Sequence, residues 1–375
     1  MNIGVPKEIK VKEFRVGLTP SSVRELVQLG HTVWVETTAG EGIGFNDASY
    51  IEAGAKIAKN AKEVFAKAKL IIKVKEPQIS ECKLLNDSHI LFTYLHLAPD
   101  PAQTKGLLES GCTAIAYETI TDKNGKLPLL HPMSAVAGRM SIQVGAQCLE
   151  KHNGGRGILL GGVAGVSSAN VLIIGGGVVG ANAAKMGVGT GAHVTILDKS
   201  VERLEELDIQ FAGALDTQFA STTNLENCLQ HADLLVGAIL TPGDAAQKII
   251  QPHHLQVMKP GSVLVDVSID QGGCVATSKP TTHDNPSFIV DDIVHYCVAN
   301  MPGAVPRTST IALNNSTLPY IIQLASGGIK VVRDNPGFLA GINIDHGRVT
   351  HNAVAKSLGY DYCPALDALA TRNIL

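Results

Sequence analysis

Three glycines stand at the spacing Gly175-x-Gly177-x-x-Gly180, after an apolar run at 171–175 and before an alanine-rich stretch. Glycine permits a tight turn at the first position, close approach of a ligand at the second, and close helix–strand packing at the third. A helix that begins here presents unpaired N–H groups and the positive end of its dipole to a phosphate. The pattern indicates a dinucleotide site; a glycine turn that serves packing alone is the alternative.

A carboxylate follows at the distance that such a site requires. A second apolar run, 193–197, ends at Asp198, which is 18 residues after Gly180. A carboxylate at the tip of the second strand can accept hydrogen bonds from both hydroxyls of an adenosine ribose. The same charge repels a ribose 2′-phosphate, so the sequence favours NAD over NADP. Lys199 and Arg203 stand nearby and could weaken that discrimination.

Polar residues suited to a small substrate follow strand-like runs in the first third of the chain. Lys75 follows the run 70–74, His96 follows the run 90–94, and Arg15 lies in a loop before a helix whose cap is expected at 21 or 22. An arginine and a lysine together suit a small carboxylate, and histidine suits proton transfer near neutral pH. A surface cation or a structural histidine is the alternative for each of them.

The second half of the chain offers candidates of the same kind. Asp270 follows the apolar run 263–267, and Asn300 and Met301 follow the run 294–298. Ligands of open α/β sheets bind at the carboxyl ends of the strands, so these positions are candidates to face a cofactor or its substrate. An aspartate before two glycines is also typical of an ordinary turn.

These candidates need a scaffold, and the chain of 375 residues is long enough for two or three domains. Strand-like and helical stretches alternate in 1–130 and again in 131–305, whereas 306–375 has too few strands for a domain of its own. We therefore predict an α/β fold with two domains, each with a mainly parallel, doubly wound sheet. A Rossmann NAD-binding domain (131–305) would be inserted in a discontinuous substrate domain (1–130 and 306–375).

Composition argues against several classes of protein. The formal net charge of −3 does not indicate a surface for nucleic acid, and no apolar run reaches the length of a membrane span. The N-terminal residues lack the pattern of a signal peptide, and the seven cysteines form no C-x-x-C pair. We expect a cytoplasmic protein with reduced thiols and no nucleic-acid or membrane partner.

Several longer motifs make a more specific comparison possible. They occur in the order GVPKEI (4–9), FRVGLTP (14–20), VKEP (74–77), YLHLA (94–98), PMS (132–134), DVSIDQGGC (266–274) and VANMPG (298–303). With these motifs nearly the whole chain resembles the alanine dehydrogenases, within the wider alanine dehydrogenase/pyridine nucleotide transhydrogenase family. The resemblance implies a homohexamer that catalyses the reversible, NAD-dependent oxidative deamination of L-alanine to pyruvate and ammonia.

The resemblance also implies roles for individual residues. Arg15 and Lys75 would bind the carboxylate and carbonyl of the substrate, and His96 and Asp270 would be the catalytic acid/base pair. The positions expected to hold NAD are Ser134, Gly175, Gly177, Val178, Val179, Gly180, Asp198, Arg203, Ile239, Leu240, Val267, Asp270, Val298, Asn300 and Met301. Some relatives carry a metal-binding Glu and His where this chain has Gln323 and Gly327, so no metal is expected.

Two other functions remain open from the sequence. The first is an NAD(H)-binding subunit of a pyridine nucleotide transhydrogenase, although the stretch after Pro132 lacks the Arg-Ala-Gln segment associated with those subunits. The second is a non-catalytic NAD-binding regulator, against which the presence of all four candidate substrate and catalytic residues argues. Formation of NADH with L-alanine would separate both from the main interpretation.

Overall fold

The computed structural model describes residues 1–239 and 247–370. The chain divides into two compact units. Unit 1 comprises Met1–Pro132 together with the chain from Val305 onward, and unit 2 comprises Met133–Ala304. Among the described helices, none has the length and apolar character needed to cross a membrane.

The strands of the described residues are short. They are β1 (Asn2–Val5), β2 (Thr32–Glu36), β3 (Lys56–Ala58), β4 (Leu70–Ile72), β5 (Ile90–Thr93), β6 (Thr113–Ala116), β7 (Asn170–Ile174), β8 (His193–Asp198), β9 (Asp216–Phe219), β10 (Leu234–Gly237), β11 (Val263–Asp266), β12 (Ser287–Val290), β13 (Ile293–Tyr296), β14 (Ile342–Asp345) and β15 (Arg348–Val349).

The helices lie mostly between these strands. They are α1 (Pro20–Gln28), α2 (Asp47–Glu52), α3 (Ala61–Lys67), α4 (Ile79–Cys82), α5 (Pro101–Ser110), α6 (His131–Cys148), α7 (Val178–Gly189), α8 (Val201–Phe211), α9 (Thr222–His231), α10 (Pro252–Leu255), α11 (Pro306–Gly327), α12 (Ile329–Arg333), α13 (Pro336–Leu339), α14 (Asn352–Leu358) and α15 (Ala365–Ala370). Short 3-10 helices are Glu41–Ile43, Tyr117–Thr119, Lys151–Asn153, Val267–Gln271 and Met301–Ala304.

The sheet of unit 1 has the order β15-β14-β6-β5-β4-β1-β2-β3. Strands β1 to β6 pair in parallel, whereas β14 is antiparallel to β6 and β15 is antiparallel to β14. Every residue of β4, β5 and β6 is buried, as expected for parallel strands covered on both faces. The loops that follow β1, β4, β5 and β6 therefore leave the sheet along one edge, where a ligand would bind.

The sheet of unit 2 has the order β12-β13-β11-β10-β7-β8-β9. All pairs are parallel except the one between β12 and β13 at the edge. The chain order reverses at β7, which lies between β8 and β10, and this is the switch point where doubly wound sheets bind dinucleotides. The prediction of an α/β fold with two mainly parallel sheets is confirmed.

Local details differ from the sequence-based expectations at helix ends. Helix α1 begins at Pro20, and its cap is Thr19, whose side chain accepts the N–H of Ser22. The expected cap at 21 or 22 was wrong because proline, which lacks an N–H, favours the first helical position and moves the cap one residue before it. The stretch 132–152 has few helix-breaking residues and predicts one long helix, whereas helix α6 ends at Cys148.

An ion triad stabilises the sheet edge of unit 1. The ammonium of Lys73, which is fully buried, lies 3.0 Å from Glu8 Oε2 and 2.8 Å from Glu81 Oε1. Burial raises the pKa of Glu8, while Lys73 opposes that rise. Burial opposes the charge of Lys73, but attraction by Glu8 and Glu81 raises its pKa overall. Glu8 Oε1 also accepts the N–H of Val74 at 2.7 Å and that of Lys75 at 3.4 Å, so the triad holds the loop after β4.

We predict that Lys73→Met destabilises unit 1 strongly, because it leaves two carboxylates buried without their cation. Breaking a buried ion pair from one side costs about 3–5 kcal/mol. The control is Lys105→Met, which removes an exposed i,i+4 partner of Glu109 and should leave the melting temperature nearly unchanged. Scanning calorimetry of both variants checks the prediction, and equal melting temperatures would contradict it.

Candidate functional site

Three of the predicted site residues lie in loops at the carboxyl edge of the sheet in unit 1. Arg15 lies between β1 and α1, Lys75 follows β4, and His96 follows β5. Strands β4 and β5 are direct neighbours and pair in register. The structure therefore brings the loops of Lys75 and His96 to one edge of this sheet.

Arg15 is held by a neighbouring carboxylate. Its side chain is 3% exposed, and it pairs side-on with Glu13 through Nε–Oε1 and Nη2–Oε2 distances of 2.6 Å each. The backbone N–H of Arg15 also donates to Glu13 Oε1 at 3.0 Å. Burial opposes the charge, but the hydrogen bonds and the charge of Glu13 raise the pKa of Arg15. The guanidinium is thus fixed in orientation and kept charged, as recognition of a carboxylate requires.

Lys75 is a largely buried cation in an environment that disfavours its charge. Its ammonium lies 3.7 Å from Glu76 Oε2, and Glu76 also pairs with Lys10. Burial lowers the pKa of Lys75 most; Glu76 opposes this, and Arg15 and Lys10 lower the pKa further. An anionic ligand would offset part of this cost, since an opposite charge favours the protonated ammonium.

His96 is half-buried and has an unusual backbone conformation. Its φ of 48° lies in the left-handed region, and its N–H donates to Glu118 Oε1 at 2.7 Å. Its ring stacks on Tyr94 with a centroid distance of 5.9 Å and an interplanar angle of 15°. Sequence reasoning missed both Glu13 and Glu118. Glu118 follows the strand-like run 112–117, so the rule that selected Lys75 and His96 would have found it.

In unit 2 the glycine motif forms the turn between β7 and α7. Gly175 has a φ of 98°, and a Cβ at Gly180 would lie 1.8 Å from the carbonyl oxygen of Gly175. Gly177 directly precedes α7, and a Cβ there would meet no atom within 4 Å. The first and third glycines are therefore required by the fold. The second lies beside open space at a helix N-terminus, which fits a bound pyrophosphate.

Asp198 ends β8 and contacts the same turn. Its Oδ2 accepts the N–H of Gly176 at 2.7 Å, and its Oδ1 accepts the N–H of Ser200 at 2.8 Å. Arg203 donates from Nε to the carbonyl oxygen of Gly176 at 2.7 Å and pairs with Glu206. Arg203, one of the two cations that could attract a 2′-phosphate, therefore already has a carboxylate partner.

Asp270 lies on the 3-10 helix that follows β11, and its side chain is exposed. The buried carboxylate of Asp266 accepts the N–H groups of Ser268, Cys274 and Val275, each at 3.2 Å. Residues before and after Asp270 are thus held by one side chain, which sequence reasoning also missed. The hydroxyl of Ser268 donates to the carbonyl oxygen of Ile239 at 2.6 Å and ties this loop to the segment after β10.

The other predicted cofactor positions are distributed over unit 2. Ser134 lies on α6, one turn before Gly138, where a Cβ would lie 2.2 Å from the carbonyl oxygen of Val179. The remaining positions are Val178 and Val179 in the first turn of α7, Ile239 after β10, Val267 in the 3-10 helix, and Val298, Asn300 and Met301 after β13. Leu240 lies outside the described residues.

One group of possible metal ligands occurs within residues 1–239 and 247–370. Glu226, His253 and His254 each offer a ligand atom, and these atoms lie within 4.8 Å of one another. However, His254 Nδ1 accepts the N–H of Gln251 at 3.1 Å. Because Nδ1 accepts this bond, the proton of the neutral ring lies on Nε2, and neither nitrogen has a free lone pair. A histidine that binds a metal needs one unprotonated nitrogen for the metal and carries its proton on the other. The hydrogen bond disfavours a metal here.

Comparison with known proteins covers almost the whole chain. Residues 4–137 match the family model "Alanine dehydrogenase/PNT, N-terminal domain" and residues 141–352 match "Alanine dehydrogenase/PNT, C-terminal domain". The alanine dehydrogenase of Halomonas elongata is 56% identical over 97% of this chain and 99% of its own length.

Solved structures give the same result for the fold. A structure of L-alanine dehydrogenase, 50% identical, superposes with a TM-score of 0.93 over 96% of this chain and 99% of that chain. A transhydrogenase from Sinorhizobium meliloti is 21% identical and superposes with a TM-score of 0.80 over 94% of this chain and 100% of that chain. The second likeness concerns the fold alone.

We predict that Lys75→Met raises stability near neutral pH. The lowered pKa of Lys75 means that the folded protein binds fewer protons than the unfolded chain between that pKa and 10.5, so wild-type stability rises with pH in this window. The gain from Lys75→Met should therefore be largest below the folded pKa and shrink toward pH 10.5. Melting temperatures of both proteins between pH 7 and about 10 check the trend. A gain that grows with pH would contradict it.

Proposed function

Because the chain belongs to the alanine dehydrogenase/PNT family, we propose that it catalyses the reversible, NAD-dependent oxidative deamination of L-alanine to pyruvate and ammonia. The alanine dehydrogenase of Halomonas elongata is similar over 97% of this chain, and this observation carries the proposal. The match extends over both units and so includes the segments of the proposed substrate-binding residues as well as the glycine turn.

The substrate would be held by its charge and its carbonyl. Arg15, fixed by Glu13, would pair with the carboxylate, and Lys75 would donate a hydrogen bond to the carbonyl oxygen of pyruvate. The burial of both cations supports this, because charge-assisted hydrogen bonds are stronger where water is excluded.

Proton transfer would fall to His96 and Asp270, the acid/base pair that the family implies. A nicotinamide dinucleotide, when bound, supplies the acceptor for the hydride that leaves Cα of alanine. Before hydride transfer the chain must take a proton from the ammonium group of alanine, because only the neutral amine can form the iminium. After hydride transfer it must activate the water that adds to the iminium carbon and protonate the amine that leaves as ammonia. A histidine and a carboxylate suit these steps, since each step moves one proton between substrate and protein.

The dinucleotide itself would bind to the turn between β7 and α7. Gly177 allows close approach of the pyrophosphate, the N-terminus of α7 faces it, and Asp198 would accept the ribose hydroxyls. The pairing of Arg203 with Glu206 supports a preference for NAD, because it reduces the attraction for a 2′-phosphate.

Two further expectations belong to the same proposal. The homohexamer implied by the family would have about six times the chain mass of 39.4 kDa in sedimentation equilibrium. A cytoplasmic location is expected for an enzyme whose substrates are L-alanine, pyruvate and ammonia, and fractionation of cells checks it.

We predict that the purified chain reduces NAD⁺ with L-alanine and oxidises NADH with pyruvate and ammonium. NADP should react with a clearly lower kcat/KM, because Asp198 repels the 2′-phosphate. Absorbance of the reduced nicotinamide measures both. A transhydrogenase subunit or a regulatory protein would show no reaction with L-alanine, and equal kcat/KM for the two nucleotides would contradict the role of Asp198.

We predict that His96→Ala and Asp270→Asn each lower kcat for alanine oxidation by about 10²–10⁴-fold, the usual contribution of a positioned acid or base. NADH affinity and melting temperature should change little. The controls are His152→Ala and Asp361→Asn, which alter exposed residues of the same types. Near-wild-type kcat in either site variant would remove that residue from the mechanism.

A further inference from the structure

The loop after β5 is held by a carboxylate that follows the neighbouring strand β6. We propose that Glu118 is a positioning residue for His96: it holds the backbone of residues 95 and 96 in a left-handed turn and so orients the imidazole. This inference rests on the proton-transfer role proposed for His96.

The first support is the convergence of two successive N–H groups on one side chain. The N–H of His96 donates to Glu118 Oε1 at 2.7 Å, and the N–H of Leu95 lies 3.1 Å from Oε1 and 3.2 Å from Oε2. Successive N–H groups of an extended strand point in opposite directions, whereas a turn through the left-handed region makes a concave nest for an anion. The φ of 48° at His96 is therefore matched to the carboxylate that it faces.

The second support is the topology that brings Glu118 there. Strands β5 and β6 pair in parallel, with Thr93 opposite Ala116, and Glu118 follows β6 by two residues. The carboxylate thus reaches sideways from the end of one strand to the loop of the next. Glu118, 22 positions after His96 in the sequence, therefore fixes the left-handed conformation of His96, which a non-glycine residue rarely adopts.

The other polar groups of the loop are held from a second direction. The carbonyl oxygen of Leu95 accepts a hydrogen bond from Gln103 Nε2 at 3.0 Å, and that of Leu97 accepts one from the hydroxyl of Thr104 at 3.2 Å. Both donors lie on α5. With Glu118 on the N–H side and α5 on the carbonyl side, the backbone of the loop has little freedom.

The imidazole is restricted as well. The ring of Tyr94, on which His96 stacks, is itself buried, and its hydroxyl donates to the carbonyl oxygen of Leu129 at 2.6 Å. The charge of Glu118 affects the pKa of two neighbouring groups. It adds to the rise that burial causes in the pKa of Tyr94, and it opposes the fall that burial causes in the pKa of His351. The contact of Glu118 with His96 itself is the hydrogen bond to the backbone N–H.

The test compares Glu118→Ala with Glu118→Gln. Alanine removes both acceptors, and a misplacement of about 1 Å at a reacting group can cost about 10²-fold, so kcat should fall by about that factor. Glutamine keeps one oxygen for both N–H groups but loses the charge that strengthens them, so kcat should fall by only about 3–10-fold. KM for pyruvate and Kd for NADH should stay within about threefold in both variants, since a positioned proton carrier acts mainly on the chemical step.

A matched control exists in the same unit. Asp47 accepts the N–H of Thr38 at 2.9 Å, and Thr38 is likewise left-handed, with a φ of 63°. Asp47→Ala should lower the melting temperature and leave kcat per folded molecule unchanged. Turnover is counted per molecule that binds NADH, so that unfolded protein does not enter the comparison.

A double-mutant cycle makes the result specific to His96. In the His96→Ala background, Glu118→Ala should cause no further loss of kcat, because its effect passes through the missing ring. An equal loss in both backgrounds would overturn the proposal, and so would near-wild-type kcat in Glu118→Ala. If Glu118→Ala does not fold, Glu118→Gln replaces it in the same cycle, and an unchanged kcat in that variant overturns the proposal.

The same variants distinguish failure of the proposed function from failure of the role proposed for Glu118. Near-wild-type kcat in His96→Ala would show that His96 carries no essential proton, and the positioning role would fall with it. An inactive His96→Ala combined with a fully active Glu118→Ala would leave the function intact and remove only Glu118.

Discussion

Backbone N–H groups beyond the end of a parallel strand have no strand partner, and in both units carboxylates accept them. Water can satisfy such groups, whereas an ionised carboxylate of the chain itself binds two or three of them at fixed positions. Three loops that carry predicted site residues are held in this way: the loop of Lys75 by Glu8, the loop of His96 by Glu118 and the loop of Asp270 by Asp266. Rigid loops of this kind are what precise placement of substrate-facing groups requires.

Two buried carboxylates of unit 1 pair with buried cations. Glu8 shares the buried ammonium of Lys73, and Glu13 pairs with Arg15. Lys75 differs, because burial and the nearby cations lower its pKa instead of raising it. The ion pairs that stabilise unit 1 thus involve Glu8 and Glu13, which hold the loops. The charge of Lys75, which is proposed to face the substrate, is unfavourable in the folded protein. Such a separation between stabilising and functional groups is common.

The sequence predicts what is local. The glycine turn, the alternation of strands and helices and the polar residues at strand ends are all encoded within a few neighbouring positions. Strands β3 and β9 are harder to predict because they carry little apolar signal: Lys56 is exposed, and both ends of β9 are exposed. Glu118 and Asp266 were missed for a different reason. Their positions at strand ends can be read from the sequence, but the N–H groups that they accept are fixed by strand order and by the return of a loop, which the sequence does not show.

Asp198 combines a position that the sequence predicts with a hydrogen bond that only the structure shows. Its position after β8 is legible in the sequence, but its bond to the N–H of Gly176 is not. A carboxylate has about four acceptor sites, so one side chain can hold the glycine turn and still accept ribose hydroxyls. Replacing Asp198 to admit a 2′-phosphate would therefore also release the turn on which the pyrophosphate is proposed to lie. In the proposed function, cofactor choice and the conformation of the glycine turn would be coupled through this single carboxylate, and a change of specificity would have to supply a new acceptor for Gly176.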